Sequence, residues 1–509
     1  MELLTFEKNE IGDFLELKIL SENINVKFFI KNEIKLAGVM NYKEDNDRYV
    51  IPNFINCNNK KIHFGYYIKN KVEEKFINEK YKLKIFNESI DYPKLKENIN
   101  NFIEYLINKK SDLQKILSKY ETLEVFNDEF ERSIDLLTNI DENKEYFVKK
   151  VDQIASFLPK NQPLYAFCCF VIIPSLMSKK VIAKKPAVMQ SFFDNLIDIL
   201  NIKYYFPNIK ISDLGRVEFI DMIKGEYEDK NGNTQPCTDV IIFTGTMENA
   251  DNIRMNFSEK TLFISNGAGH NPLIITDTAN ISDSISASIS LQLYNQGQDC
   301  AAPSTILVHE KICDEYVKSL LNEIKKLKVG DYNKSNIGPI TEAKDMIRIQ
   351  KIFVDNIDYI NKSTPGLILS NKSLVYPTVI EKPLEFGGNY TEQFAPIFFI
   401  QKYNNDSELR SYFETNKYRD NAMYVTVYGD SKYVNNILGK SIGSLGILHK
   451  KDTFLHNINL HSKGVERGIK PYGGYGRGAS NFSIFGNIIS KPTLPQRDIY
   501  ENLICNSEY

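Results

Sequence analysis

Asp239-Val240-Ile241-Ile242-Phe243, followed at once by Thr244-Gly245-Thr246, reads as a short, continuously apolar strand that runs into a turn of small residues. A strand apolar on both faces is buried on both faces, as in a parallel sheet covered by helices. The sequence upstream repeats the theme. Asp152 to Leu158 reads as a strand and Leu164 to Met177 as a helix. Val181-Ile182-Ala183 is a strand, Gln190 to Leu200 a helix, and Val217-Glu218-Phe219-Ile220 a further strand. Strands alternating with helical stretches predict an α/β architecture built on a parallel sheet. Ligands of such sheets sit outside the carboxyl ends of the strands. Asn161, Lys185 and Thr244-Gly245-Thr246 each follow one of these strands and fall at that edge.

A second α/β unit starts near Gly267. Leu273-Ile274-Ile275 is a strand, and a helix from about Ser282 to Leu293 leads into Asn295-Gln296-Gly297-Gln298-Asp299-Cys300. Thr305-Ile306-Leu307-Val308 is the next strand and Ile312 to Leu327 the next helix. Residues 1 to about 90 look β-rich, because Phe14 to Ile19 and Tyr81 to Ile85 alternate with period two. From about 93 to 140, Phe102, Tyr105, Leu106, Leu113, Ile116 and Leu117 recur at helical spacings, the mark of a packed amphipathic layer.

The 509 residues predict two or three domains. A net charge of −2 leaves no basic excess for phosphates, so no nucleic-acid partner is expected. The seven cysteines, at 57, 168, 169, 237, 300, 313 and 505, show no metal-ligand spacing and no disulfide framework, which suits a reducing cytoplasm. The N-terminus carries no secretory pattern. The longest apolar run, Leu164 to Met177, contains Pro174 and is too short to cross a bilayer, so no membrane partner is expected.

Cys300 follows a glycine turn, which can hold a thiol at a fixed angle as a nucleophile. A buried, inert cysteine is the commoner reading of the residue alone. Its context decides. Phe243-Thr244-Gly245-Thr246, then Ile264-Ser265-Asn266-Gly267-Ala268-Gly269-His270-Asn271-Pro272, then the Cys300 turn, then Glu392-Gln393-Phe394-Ala395-Pro396 follow in order. Together with Val329-Gly330-Asp331 and Asn336-Ile337-Gly338-Pro339-Ile340, they resemble the aldehyde dehydrogenase superfamily over about residues 150 to 490.

That resemblance implies two parallel-sheet α/β domains, one binding a nicotinamide cofactor and one catalytic, beside the extra β-rich N-terminal region. The corresponding division is 1–90 for that region and 91–266 for the cofactor domain, with a helical lead-in to about 145. The catalytic domain is then 267–455, and 456–509 returns to the cofactor domain as a glycine-rich loop and a possible oligomerisation tail. Cys300 matches the nucleophile that attacks an aldehyde carbon and carries the acyl group as a thioester. Asn161 matches the amide that stabilises the resulting oxyanion. Lys185 matches the lysine that reaches the adenosine ribose, and Thr244, Gly245 and Thr246 the turn that faces the pyrophosphate. Glu392 and Phe394 match the residues that bond the nicotinamide ribose and pack beside the ring. The implied cofactor is NAD or NADP. Val188 stands where a glutamate often favours NAD, which tilts slightly toward NADP.

The chain departs from the pattern in four places. Lys160 replaces the usual tryptophan before the asparagine. Asn266 replaces the glutamate that deprotonates water in hydrolytic members, and an amide cannot accept that proton. This favours an acylating reaction, aldehyde to or from an acyl thioester, with coenzyme A as co-substrate; hydrolysis to a free acid is the alternative. His270 stands at the family's lysine position, where a structural role is expected over that of a substitute base. Asp299 beside the nucleophile would raise the thiol pKa if it pointed at the sulfur. These departures also admit a catalytically weak member acting as a binding or scaffold subunit. The tail Ile488 to Pro492 can pair as an edge strand, so a homodimer is a further expectation.

Overall fold

The structure, a computed structural model, describes residues 5–8, 14–19, 24–29, 48–57, 60–70, 84–434, 447–450 and 467–505. Two sheets dominate. The first has seven strands in the spatial order Asn487–Ser490, Ser480–Ile484, Leu262–Asn266, Val240–Thr244, Val151–Phe157, Ser178–Lys184 and Ile209–Ser212. Its last five strands run parallel, and the two from the C-terminal tail are antiparallel. The second has six strands, all parallel: Thr378–Glu381, Ile397–Tyr403, Thr305–His309, Pro272–Ile275, Tyr424–Tyr428 and Ile447–Lys450.

The α/β expectation therefore holds, and the reason is visible in the burial. Residues Val240 to Phe243 are buried on both faces of their strand. Val240 and Ile242 join the larger core with Ile154, Val181, Leu262 and Ile264. Ile241 and Phe243 join Phe157, Phe219 and Phe263 in a second cluster.

The helical lead-in forms as Tyr92–Asn108, Lys110–Leu117 and Leu123–Thr138, and their apolar stripes pack on the first sheet's larger core. The buried run after Asn161 is helical from Pro163 to Ser175. Its middle, Cys168–Ile172, widens to a π-helix just before Pro174, whose ring nitrogen cannot donate to the helix. Burial pushes the Cys168 thiol up to about 12, so this cysteine is an inert core residue. Among the described residues no helix is long and apolar enough to cross a membrane, and no cluster of His, Cys, Asp and Glu could hold a metal ion.

One expected strand is wrong. Val217 to Ile220 lies in the helix Arg216–Ile223. Phe219 and Ile223, four residues apart, are buried and Val217 is exposed, so the helical period wins over the short alternation. The strand expected at Tyr81 to Ile85 lies partly outside the described residues, and Lys84 and Ile85 are not in a strand. Farther upstream, Thr5–Lys8, Phe14–Ile19 and Ile24–Phe29 form an antiparallel sheet, and Arg48–Cys57 pairs with Lys60–Asn70.

The expected site residues fall at opposite strand ends of the two large sheets. Asn161, Lys185, Thr244 to Thr246 and Asn266 lie at the carboxyl ends of the first sheet's strands. Cys300, Asn271, Glu392 and Phe394 lie just before the amino ends of second-sheet strands. The C-terminal segment locks the sheets together: the Gly267 N–H donates to the carbonyl of Ala479 at 2.8 Å, and the Gly476 N–H to that of Ala422 at 3.0 Å.

Candidate active site

The turn that presents Cys300 is strained. Asn295, Gln296 and Gly297 adopt φ of 48°, 60° and 73°, three successive left-handed residues. Left-handed backbone is unfavourable for residues with a Cβ and persists only where surroundings over-determine it. Gly297 is obligatory, because an added Cβ would collide with the carbonyl of Ala395. Asn271 fixes the far side of the turn. Its Nδ2 donates to the carbonyls of Cys300 at 2.7 Å and Ala302 at 3.1 Å, and its Oδ1 accepts from the Tyr424 N–H at 3.1 Å. The half-buried Cys300 packs beside Leu291, Met423, Tyr424 and Ala479.

Asp299 points at the sulfur. The Cys300 thiol lies 3.9 Å from Asp299 Oδ1, and the same oxygen accepts from Gln162 Nε2 at 3.3 Å. Behind Gln162 stands a buried polar cluster. Arg132 donates to Gln162 Oε1 at 2.6 Å, to the Tyr294 hydroxyl at 3.1 Å, and to Asp128 Oδ2 at 3.0 Å. Glu129 Oε2 accepts from the N–H groups of Leu164 and Tyr165, which open the helix after Asn161.

Asn161 occupies the turn between the strand Val151–Phe157 and that helix, half-buried. Among the described residues no side-chain hydrogen bond engages its carboxamide, so its donors can serve a substrate oxygen. The preceding Lys160 does not mimic a tryptophan. It crosses to the segment that leads into the second sheet's outer helices and pairs with Glu342 at 2.6 Å and Asp345 at 2.5 Å. Asp345 also accepts from Gln298 Nε2 at 3.3 Å.

Asn266 ends the strand Leu262–Asn266, buried. Its Oδ1 accepts from the Thr493 hydroxyl at 2.7 Å, and its Nδ2 has no partner among the described residues. His270 is buried, and desolvation lowers its pKa to about 4. Its ring lies edge-on to Tyr390, with Nε2 3.5 Å from Asn421 Nδ2, as suits a structural role.

The residues expected to hold a dinucleotide fit that task unevenly. Glu392 has a buried Oε1 without a hydrogen-bond partner among the described residues, ready for a hydroxyl donor such as a ribose. Burial raises its pKa to about 8; the Arg348 guanidinium opposes the rise and the Asp299 carboxylate adds to it. Arg348 also donates to the carbonyls of Gln393 and Phe394, and Phe394 is itself left-handed at φ 47°. Thr244 leaves its Oγ1 buried without a partner among the described residues, and Gly245 follows at φ 157°. Thr246 caps the helix Met247–Arg254, accepting from the Asn249 N–H. Lys185 is buried, and two exposed carboxylates, Asp194 and Asp213, pair with its ammonium. Burial pulls its pKa down, but these partners outweigh that and raise it. These partners already occupy the Lys185 ammonium. Val188, three residues on, is 63% exposed.

The aldehyde dehydrogenase family profile matches residues 230–475, a span that holds the Thr244 turn, Asn266, Cys300, Glu392 and Phe394. That match supports the aldehyde dehydrogenase superfamily for this chain. Lactaldehyde dehydrogenase from Methanococcus aeolicus is 24% identical over 260 residues, 51% of this chain and 55% of that relative. Sulfoacetaldehyde dehydrogenase from Neptuniibacter caesariensis is 26% identical over 35% of this chain and 39% of its own. The matches thus span about half or less of these relatives' length. Two solved dehydrogenase structures share the fold. Aldehyde dehydrogenase 21 from Physcomitrella patens, bound to succinate, has a TM-score of 0.62 at 16% identity, covering 89% of this chain and 94% of its own. Glyceraldehyde-3-phosphate dehydrogenase from Methanocaldococcus jannaschii, bound to NADP, has 0.61 at 19% identity, covering 88% and 100%.

Sequence reading named residues at the strand ends and missed the buried polar groups that hold them. Gln162 adjoins Asn161, and Asn271 closes a Gly-His-Asn-Pro run before a strand, so both carried a local signal. Arg132, Asp128, Tyr294 and Thr493 carried none, because only the fold brings them near.

Proposed function

We propose that this chain is a nicotinamide-dependent oxidoreductase that oxidises an aldehyde through Cys300. The observation that supports this is a strained, clamped Cys300 turn tied through Asp299 to Gln162, the neighbour of Asn161, while the Asn161 carboxamide and Glu392 Oε1 have no hydrogen-bond partner among the described residues. Cys300 attacks the aldehyde carbon, and the former carbonyl oxygen gains negative charge. Asn161 is the donor for that oxygen, a contribution that is large in a water-poor site. Glu392, with Phe394 beside it and the Thr244-Gly245-Thr246 turn and Lys185 farther out, would hold NAD or NADP. The bound nicotinamide supplies a hydride acceptor, and the acyl group is left on Cys300 as a thioester. The exposed Val188 presents no carboxylate to a ribose phosphate, which favours NADP. The names of the relatives suggest a small aldehyde with a polar substituent, such as lactaldehyde.

A second reading changes only the acyl acceptor. Asn266 cannot take a proton from water, and its Oδ1 is already occupied by Thr493. A thiol such as coenzyme A needs less help than water, so transfer to a thiol is favoured by this position. An edge strand at Asn487–Ser490, with Ile488 41% exposed, supports a homodimer.

Purified protein given lactaldehyde and NAD or NADP should generate reduced nicotinamide, read by absorbance. C300A should abolish this, and N161A should slow it about 100-fold. Absence of reduced nicotinamide from the wild type with either nucleotide, with and without coenzyme A, would refute the proposal.

A further inference from the structure

The site lacks the family's glutamate but not a carboxylate. We infer that Asp299 is the proton acceptor for breakdown of the Cys300 thioester by water, the task that Asn266 cannot perform. This rests on the reading of Cys300 as the nucleophile.

Four observations converge. Asp299 Oδ1 lies 3.9 Å from Cys300 Sγ, so a water attacking a carbon bonded to that sulfur is within one hydrogen bond of the carboxylate. Asp299 is 1% exposed, so its aim is set by the fold rather than by solvent. Gln162 donates to the same oxygen and is itself held by Arg132, which fixes the carboxylate while leaving it an acceptor. The other candidates are unsuited. Glu392, which feels Asp299, has its pKa raised by burial to about 8 and so holds its own proton. His270 is a weak base at about 4.

The step balances without a redox partner. The water oxygen bonds to the thioester carbon while one water proton passes to Asp299. The C–S bond then breaks, a carboxylic acid leaves, and the Cys300 thiolate takes the proton back from Asp299.

An active ester tests this without nucleotide or aldehyde. With p-nitrophenyl acetate, Cys300 displaces nitrophenolate and becomes acetylated; C300S is the control. Wild type should show a burst of nitrophenolate, then steady release limited by hydrolysis. D299N should keep the burst, accumulate acetyl-Cys300 by mass spectrometry, and release product about 100-fold more slowly. Hydroxylamine, a nucleophile that needs no base, should restore release by D299N, which a misfolded variant would not allow. Wild-type steady release from D299N, or a D299N burst whose steady release hydroxylamine does not restore, would overturn the inference alone. No burst from wild type would overturn Cys300 as nucleophile and the inference with it. A D299N arrest in a protein that reduces no nicotinamide would sink only the dehydrogenase reading.

Discussion

At the scale of single residues, the candidate site holds carboxyl groups whose surroundings differ. Glu392 is held protonated by burial up to about 8, although Arg348 stands near. A carboxyl whose folded pKa is raised binds its proton more tightly in the folded state than in the unfolded one. Its contribution to folding stability is therefore full below the ordinary glutamate range and is lost as pH climbs from there through 8. E392Q copies the protonated shape and cannot titrate. Its melting temperature relative to wild type should rise by about 2 °C or more between pH 5 and pH 8, read by differential scanning fluorimetry. It should also flatten the pH dependence of nucleotide affinity between about pH 7 and pH 9. A constant difference between the two melting temperatures over that range would count against a buried, neutral Glu392.

At the scale of elements, the helix Leu123–Thr138 is the support behind the turn that presents Cys300. Asp128, Glu129 and Arg132 project from one part of it into the protein, all buried. Arg132 bridges Asp128, Gln162 and Tyr294, and its guanidinium stacks 4.0 Å from the centre of the Tyr165 ring. Removing one member of a buried charge pair leaves the other uncompensated, at a cost of about 3–5 kcal/mol. R132M should therefore lower unfolding free energy by about 3 kcal/mol in urea titration. It should also slow acetyl-Cys300 hydrolysis, because Gln162 loses its anchor. Unchanged stability would mean that the cluster is not held as described.

At the scale of the whole molecule, the C-terminal tail joins the two sheets. Ser480–Ile484 adds to the first sheet beside Leu262–Asn266, while the Gly476 and Gly478 region packs on Asp420 to Ala422 before a second-sheet strand. Arg477 pairs with Asp251 at 2.9 Å, and Thr493 reaches Asn266. Gly267 sits where the chain crosses between sheets, and an added Cβ would collide with the carbonyl of Gly478. Backbone cannot yield as a flexible side chain does. G267A should cost about 1–3 kcal/mol, as overpacking does, and loosen the contact between the sheets. The expected readings are a lower melting temperature and weaker nucleotide binding by calorimetry; wild-type values for both would contradict the described approach.

The periodicity of residues 150 to 310 was enough to read a parallel α/β fold, because strands buried on both faces are apolar throughout and the helices between them are longer. The same reading failed at Val217 to Ile220, where four residues fit both periods and burial of Phe219 and Ile223 chose the helix. It named Cys300, Asn161, Asn266 and Glu392 because each sits in a short local pattern near a strand end. What it could not settle was direction and distance. Whether Asp299 faces the sulfur is a matter of its rotamer; whether Lys160 crosses to Glu342 and Asp345, and what occupies Asn266, depend on partners far along the chain. Residue types and local order are properties of the chain; a carboxylate's aim, and so its chemistry, is set by packing that only the assembled sheets provide.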